Sequence, residues 1–227
     1  MMANKNKIVA IYLAAGRSSR MGRNKLLLPL RGNPLGMHAL QAALQSNLDR
    51  IIVVVNDDEP SMQKGILNSS AKWPLDFSNK LIVVSCPDSK KELSYSLKVG
   101  INWASTLDPD GVIILLADQP FIRKEMINQL IDTFLKEKVN YVASCFNDII
   151  RPPILLGRRL FPLLHQLKGD EGAKKLLIES PQIEGRTIHY DDEILFLDVD
   201  TMGDYERILE MIAFRAEEKI FSQCCER

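Results

Sequence analysis

Between Leu13 and Lys25 the chain reads Leu-Ala-Ala-Gly-Arg-Ser-Ser-Arg-Met-Gly-Arg-Asn-Lys, directly after an apolar run over residues 8–13. A run of that length, closed by glycine, predicts a short buried strand. The ten positions from Gly16 to Lys25 then hold two glycines, two serines and four basic residues. Glycine lets backbone come close to a ligand, and successive N–H groups in such a loop form a nest for an anion. Arginine and lysine add fixed charge and donors that fit phosphate oxygens. Seven Lys or Arg residues precede the first acidic residue, Asp49, although the whole chain balances 29 basic against 29 acidic side chains. A neutral chain that keeps one end wholly basic is expected to bind an anion there. The bland alternative is a polar strand-to-helix loop with solvated arginines.

Two familiar phosphate loops do not fit. Gly16 and Gly22 enclose five residues and Arg23 follows, where a P-loop needs four residues and then lysine. The G-x-G-x-x-G dinucleotide pattern is also missing. The charge balance argues against a nucleic-acid or membrane-surface partner, and no apolar run reaches membrane-spanning length. Cys86, Cys145, Cys224 and Cys225 make no C-x-x-C pair, and His38, His165 and His189 are scattered. Neither set suggests a disulfide framework or a zinc pattern, and His165 and His189 read as structural. The expectation is a reduced, cytoplasmic protein whose 227 residues form one α/β domain over 1–227.

Hydrophobic periodicity predicts strands over 8–13, 51–55, 81–85, 111–116 and 141–145, a short edge strand over 154–156, and strands over 187–190 and 194–197. Helices are predicted after the Asn33-Pro34 cap and over 62–67, 93–104, 124–136, 161–167, 172–179 and 203–221. This alternation predicts a Rossmann-like fold with a mostly parallel central sheet and helices on both faces. Ligands in such folds sit beyond the carboxyl ends of the strands, where Gly16, Asp88, Asp118 and Asp198 fall.

Asp118, in Ala117-Asp118-Gln119-Pro120, is either a hard ligand for Mg²⁺ or the cap of the next helix. Asp198-Val199-Asp200 places two carboxylates one residue apart, on one face if extended, with capping by Asp200 or Thr201 as the other reading. Ser94 and Ser96 open a helix, where hydroxyls and free N–H groups either contact a nucleotide or simply cap.

The string L-A-A-G-x-S-x-R-M-G-x-x-K resembles the opening of nucleotidyltransferases that attach a nucleotide to a phosphorylated acceptor. It is most similar to the molybdenum-cofactor cytidylyltransferases, a MobA-like family, and to the purine-catabolism accessory proteins that mature xanthine dehydrogenase. The resemblance implies a nucleotidyltransferase fold and nucleotide contacts from Leu13, Ala14, Ala15, Gly16, Arg17, Ser18, Met21 and Gly22. Lys25 is then the catalytic cation at the α-phosphate, and Arg20 grips the outer phosphates. Leu115-Leu116-Ala117-Asp118-Gln119-Pro120 and the ending Asp198-Val199-Asp200-Thr201 through Asp204-Tyr205 resemble the family's metal motifs. They imply Asp118 and Asp200 as Mg²⁺ ligands, with Asp198 in support. Arg151-Pro152-Pro153 replaces the family's Gly-His-Pro, while Gly169-Asp170-Glu171-Gly172-Ala173 keeps its pattern. Arg151, Asp170 and Glu171 are therefore expected to hold the acceptor.

The implied reaction transfers CMP from CTP to the phosphate of molybdopterin or its metal-loaded form. An apo molybdenum hydroxylase such as xanthine dehydrogenase is the implied client. Two other readings stand beside it: transfer from GTP or to a sugar phosphate, and a non-catalytic chaperone that hands over finished cofactor.

Overall fold

A computed structural model describes residues 6–16, 18, 21–57, 61–70, 74–87 and 93–225. In chain order these form β1 (Ile8–Ala14), β2 (Pro29–Leu30), β3 (Asn33–Pro34), α1 (His38–Leu44), β4 (Arg50–Asn56), α2 (Ser61–Ser70), α3 (Leu75–Lys80) and β5 (Leu81–Cys86). There follow α4 (Leu93–Thr106), β6 (Gly111–Leu116), α5 (Lys124–Glu137), β7 (Tyr141–Phe146), β8 (Ile149–Gly157), α6 (Phe161–Leu164), α7 (Ala173–Glu179), β9 (Gly185–His189) and α8 (Met202–Cys225).

Seven strands join in one sheet of order β5-β4-β1-β6-β8-β7-β9. Every neighbouring pair is parallel except the two that involve β8. The chain leaves β1 toward β4 and β5 on one side, then returns to place β6 on the other. The carboxyl ends of β1 and β6 thus flank a switch in strand order, which is where open α/β sheets bind ligands.

Strand β1 shows why both faces are covered. Ile8, Ala10 and Tyr12 join one buried cluster, with Leu40 of α1, Leu130 of α5 and Tyr205 of α8. Val9, Ile11 and Leu13 join the other, with Leu97 of α4, Leu164 of α6 and Leu176 of α7. Alternate residues of a strand point to opposite faces, so a continuous apolar run is what two covered faces require. Each fully buried Ile or Leu contributes about 1.5–3 kcal/mol. α4 approaches β1 very closely: a Cβ on Gly100 would lie 2.4 Å from Ile11 Cγ2.

Three local expectations are corrected. Strand β8 is longer than 154–156 and lies inside the sheet rather than at its edge. Pro152 and Pro153 have no N–H to donate, and the β7–β8 ladder steps over them, pairing Ala143 with Ile154 and Ser144 with Arg151. A bulge of this kind lets an interior strand carry proline. Residues 194–197 are not a strand. Glu193–Phe196 forms a 3₁₀ turn whose start is capped by Asp192, with Ile194, Leu195 and Phe196 all buried. A short apolar run cannot distinguish these two outcomes. Finally, Asn33 does not cap α1. It pairs with Leu30 across a turn in which Arg31 and Gly32 both have positive φ, and a 3₁₀ turn over Leu35–Met37 leads into the helix.

Candidate active site

At the end of β1 the backbone folds back on itself. Ser18 C=O accepts from Met21 N–H at 2.9 Å, and Gly22 takes up φ +64°, a left-handed conformation that favours glycine. The Asn24 side chain accepts from Leu26 N–H at 2.9 Å and so caps a 3₁₀ turn that begins at Lys25. Lys25 N–H donates to Ser18 Oγ at 2.8 Å, which fixes the lysine to the loop.

The Lys25 side chain turns inward. Its Nζ donates to Asp118 Oδ2 at 2.7 Å and to Asp200 Oδ1 at 2.9 Å. Side-chain exposure rises from 9% at Lys25 through 23% at Asp118 to 52% at Asp200, so the cluster opens toward solvent on the Asp200 side. Burial alone would push the ammonium toward deprotonation. The charges and hydrogen bonds of Asp118 and Asp200 outweigh it, and the Lys25 pKa is raised.

Asp118 reaches this position because β6 runs beside β1, with Leu116 opposite Leu13 and Ala117 N–H donating to Leu13 C=O at 3.1 Å. The residue lies well before α5, whose start at Arg123 has no side-chain cap, so Asp118 is not a helix cap. Asp200 arrives from far along the chain. Val199 N–H donates to Asp118 C=O at 3.1 Å and docks the incoming segment on the end of β6. Capping of α8 falls to Thr201 and Asp204, which bond reciprocally: Asp204 N–H donates to Thr201 Oγ1, and Asp204 Oδ2 accepts from Thr201 N–H and Oγ1. Hydrogen bonds from Thr201 hold the Asp204 carboxyl below the usual range.

Asp198 is the third carboxylate here. Its Oδ1 is buried with no hydrogen-bond partner. Burial, then the charge of Asp118, pushes its pKa up to about 6 against a hydrogen bond from Gln119 and the charge of Arg151. Arg151 Nε is likewise buried without a partner. Asp198, Asp200, Arg151, Phe146 and Phe196 line a cavity of about 270 Å³. The rings of Phe146 and Phe196 stack with centroids 6.0 Å apart, and Tyr190 meets Phe196 edge-on.

The other expected site residues are spread along the same end of the sheet. Leu13, Ala14 and Ala15 are buried at the close of β1, and Gly16 is exposed. Met21 packs against the core. Ser94 and Ser96 are buried; Ser94 N–H donates to Gly169 C=O and Ser96 Oγ to Leu93 C=O. Asp170 accepts from Leu93 N–H at 3.5 Å, and Glu171 pairs with Lys175 and accepts from Lys168 N–H. Asp170 and the Gly169 carbonyl therefore tie the loop between α6 and α7 to the start of α4, while Glu171 holds that loop to α7. Arg17, Arg20 and Asp88 lie outside the described residues.

Asp198's burial and the aromatic wall were not legible in the sequence. Capping by Thr201 was one of its two readings, and the T-x-x-D spacing, a variant of the capping box, is the signal for its reciprocal partner Asp204.

A mostly parallel α/β sheet with a basic glycine loop and convergent carboxylates at its switch point is the architecture of a nucleotidyltransferase. The chain belongs to the MobA-like NTP transferase domain family, whose pattern matches residues 10–183. It is 33% identical to the purine catabolism protein PucB of Bacillus subtilis, over 88% of this chain and 95% of that protein. A molybdenum cofactor guanylyltransferase of Rhodobacter capsulatus is 27% identical over 55% of this chain and 57% of its own length. Among solved structures, Rv0371c of Mycobacterium tuberculosis matches with TM-score 0.72 and 28% identity over 92% of this chain and all of that one. Its manganese complex matches with TM-score 0.68 and 27% identity, over 90% of this chain and 99% of that one. No described helix is long and apolar enough to cross a membrane.

Proposed function

We propose that the protein is a Mg²⁺-dependent cytidylyltransferase that transfers CMP from CTP to the phosphate of a molybdopterin-type cofactor, in support of a molybdenum hydroxylase such as xanthine dehydrogenase. The observation that carries this reading is the Lys25 ammonium held between Asp118 and Asp200 at the carboxyl ends of β1 and β6.

The carboxylates suit a hard divalent cation. They offer only oxygen donors, and Asp198 Oδ1 is a buried acceptor still lacking a partner. Asp118 and Asp200 would hold Mg²⁺, with Asp198 behind them, and the ion would supply Lewis-acid stabilisation of the phosphoryl charge.

The protein's own groups do the rest by position and charge. Backbone of the 13–22 loop cradles the triphosphate, with Arg20 on its outer phosphates. Lys25 presents a compact charge to the α-phosphate as negative charge grows there and on the oxygen bridging to the β-phosphate. An oxygen of the acceptor phosphate forms the new bond to the α-phosphorus. The bond to the bridging oxygen breaks, and pyrophosphate leaves. Arg151 would meet the acceptor phosphate, and Phe146 and Phe196, which line the same cavity, would offer aromatic surface to a flat ring system. Asp170 and Glu171 shape the acceptor side by holding the 168–172 loop in place.

Use of GTP is the second reading, favoured by the similarity to the Rhodobacter guanylyltransferase. Pyrophosphate release from CTP or GTP in the presence of molybdopterin, with the dinucleotide product identified by mass spectrometry, tests both. Cofactor binding with no pyrophosphate release from either nucleotide would point instead to a chaperone.

A further inference from the structure

Strand pairing brings His189 to Cys145 and Asp148, two neighbours in sequence that lie far earlier in the chain, and all three are remote in sequence from the glycine loop. β7 and β9 run parallel with Cys145 opposite His189, so both side chains leave the sheet on one face. The β7–β8 hairpin turns through Asn147 and Asp148, both with positive φ, and this delivers the Asp148 carboxylate to the same place. Cys145 Sγ, a His189 ring nitrogen and an Asp148 oxygen all lie within 4.8 Å of one another, with His189 Nδ1 4.0 Å from Asp148 Oδ1. Cys145 is buried, whereas Asp148 and His189 are exposed, so the cluster has an anchored thiol and an entry path from solvent.

We propose that Cys145, Asp148 and His189 form a binding site for a divalent transition metal of the Zn²⁺ type, separate from the Mg²⁺ site and tying the β7–β8 turn to strand β9. Thiolate, imidazole and carboxylate together are the donor set of Zn²⁺ and Co²⁺ rather than of Mg²⁺. Bond lengths of about 2.0–2.3 Å put tetrahedral ligands roughly 3.5 Å apart. Rotation of the two exposed side chains closes the remaining gap. Binding exchanges the Cys145 S–H bond for a sulfur–metal bond and releases the proton to solvent. Three protein ligands leave the fourth position to water. The proposal does not rest on the transferase reading.

The test titrates the full-length protein with Co²⁺ in excess Mg²⁺ under reducing conditions, following the thiolate-to-Co²⁺ charge-transfer absorption in the near ultraviolet. One equivalent is expected to develop the band, and Zn²⁺ to abolish it by displacement. The band is expected to survive in the Cys224→Ser/Cys225→Ser protein and in Asp118→Asn, and to vanish in Cys145→Ser. His189→Ala and Asp148→Ala alter exposed positions and should each weaken Co²⁺ binding at least about 10-fold, the scale seen even for outer-shell partners. A band that persists in Cys145→Ser, no band at millimolar Co²⁺, or unchanged affinity in both exposed-site variants overturns the proposal.

Discussion

The Lys25 ammonium stands 2.7 Å from the carboxylate of Asp118, a residue 93 positions later in the chain. That ion pair joins the glycine loop after β1 to the end of β6, and Asp200 closes it from the other side. Removing one member of a partly buried pair leaves the others uncompensated, so the three residues should respond to mutation as a unit.

Lys25→Ala is expected to lower kcat by about 10² to 10³, the usual effect of deleting one preorganised charge contact. Nucleotide affinity should fall far less, because the loop backbone remains. Steady-state kinetics in a pyrophosphate assay, paired with direct CTP binding, separates the two. Near wild-type kcat would remove Lys25 from the chemistry.

Asp118→Asn and Asp200→Asn should each raise the Mg²⁺ concentration needed for half-maximal rate. Thr201→Ala should behave differently. It removes one half of the reciprocal cap on α8, for a loss of about 0.5–2 kcal/mol, and each kcal/mol lowers Tm by roughly 2–4 °C in a chain of this size. Its Mg²⁺ dependence should be unchanged. The opposite pattern, with unchanged Mg²⁺ dependence in the Asp variants and Thr201→Ala needing more metal, would exchange the assigned roles.

CTP should be preferred over GTP by about 10- to 200-fold in kcat/KM, the range available from one methyl group in a tight pocket. The group in question is Ala15, which follows β1 and is buried at 7% exposure among Leu13, Val84 and Cys86. Ala15→Gly should narrow the preference, with Tm measured alongside because the same methyl also packs in the core. A GTP preference in the wild-type protein would place it with the guanylyl-using relatives. Unchanged discrimination in the variant would discard the role of the methyl.

Stability should fall as the pH drops below about 6.5, the unperturbed histidine value, through the neutral imidazole of His38. Burial first, and the neighbouring Arg31 charge, lower its pKa against a hydrogen bond to Leu30 C=O at 2.8 Å. The unfolded chain then binds the proton more tightly than the folded one. The stabilisation is complete above the unfolded pKa and is lost as pH falls toward the lowered folded value. Tm measured between pH 5 and 8 should show this slope in the wild type and a shallower one in His38→Gln. An identical slope in both would exclude His38 as its source.

Much of the sheet was legible because its signals are local. The runs at 8–13 and 111–116 are continuous because helices cover both faces, and each is followed by the loop that carries a site residue. What was not legible depends on partners distant in sequence. Nothing near Pro152 and Pro153 announces that β6 and β7 will flank their strand, so an interior position looked excluded. The 194–196 run is buried as a turn rather than as a strand because Asp192 caps it, a choice that hydrophobicity does not encode. Asp200 was readable as a candidate ligand. Its ion pair with Lys25, at a separation of 175 residues, and the unsatisfied oxygen of Asp198 were not.

The hydrogen bond from Val199 to Asp118 sets an order in time. Translation delivers the glycine loop, Lys25 and Asp118 long before Asp200, yet the cluster closes only when the segment preceding α8 docks on the end of β6. A nascent chain can therefore bring Lys25 to Asp118 while the third member of the cluster is still unmade, and the ammonium gains its second carboxylate only once Asp200 has been added.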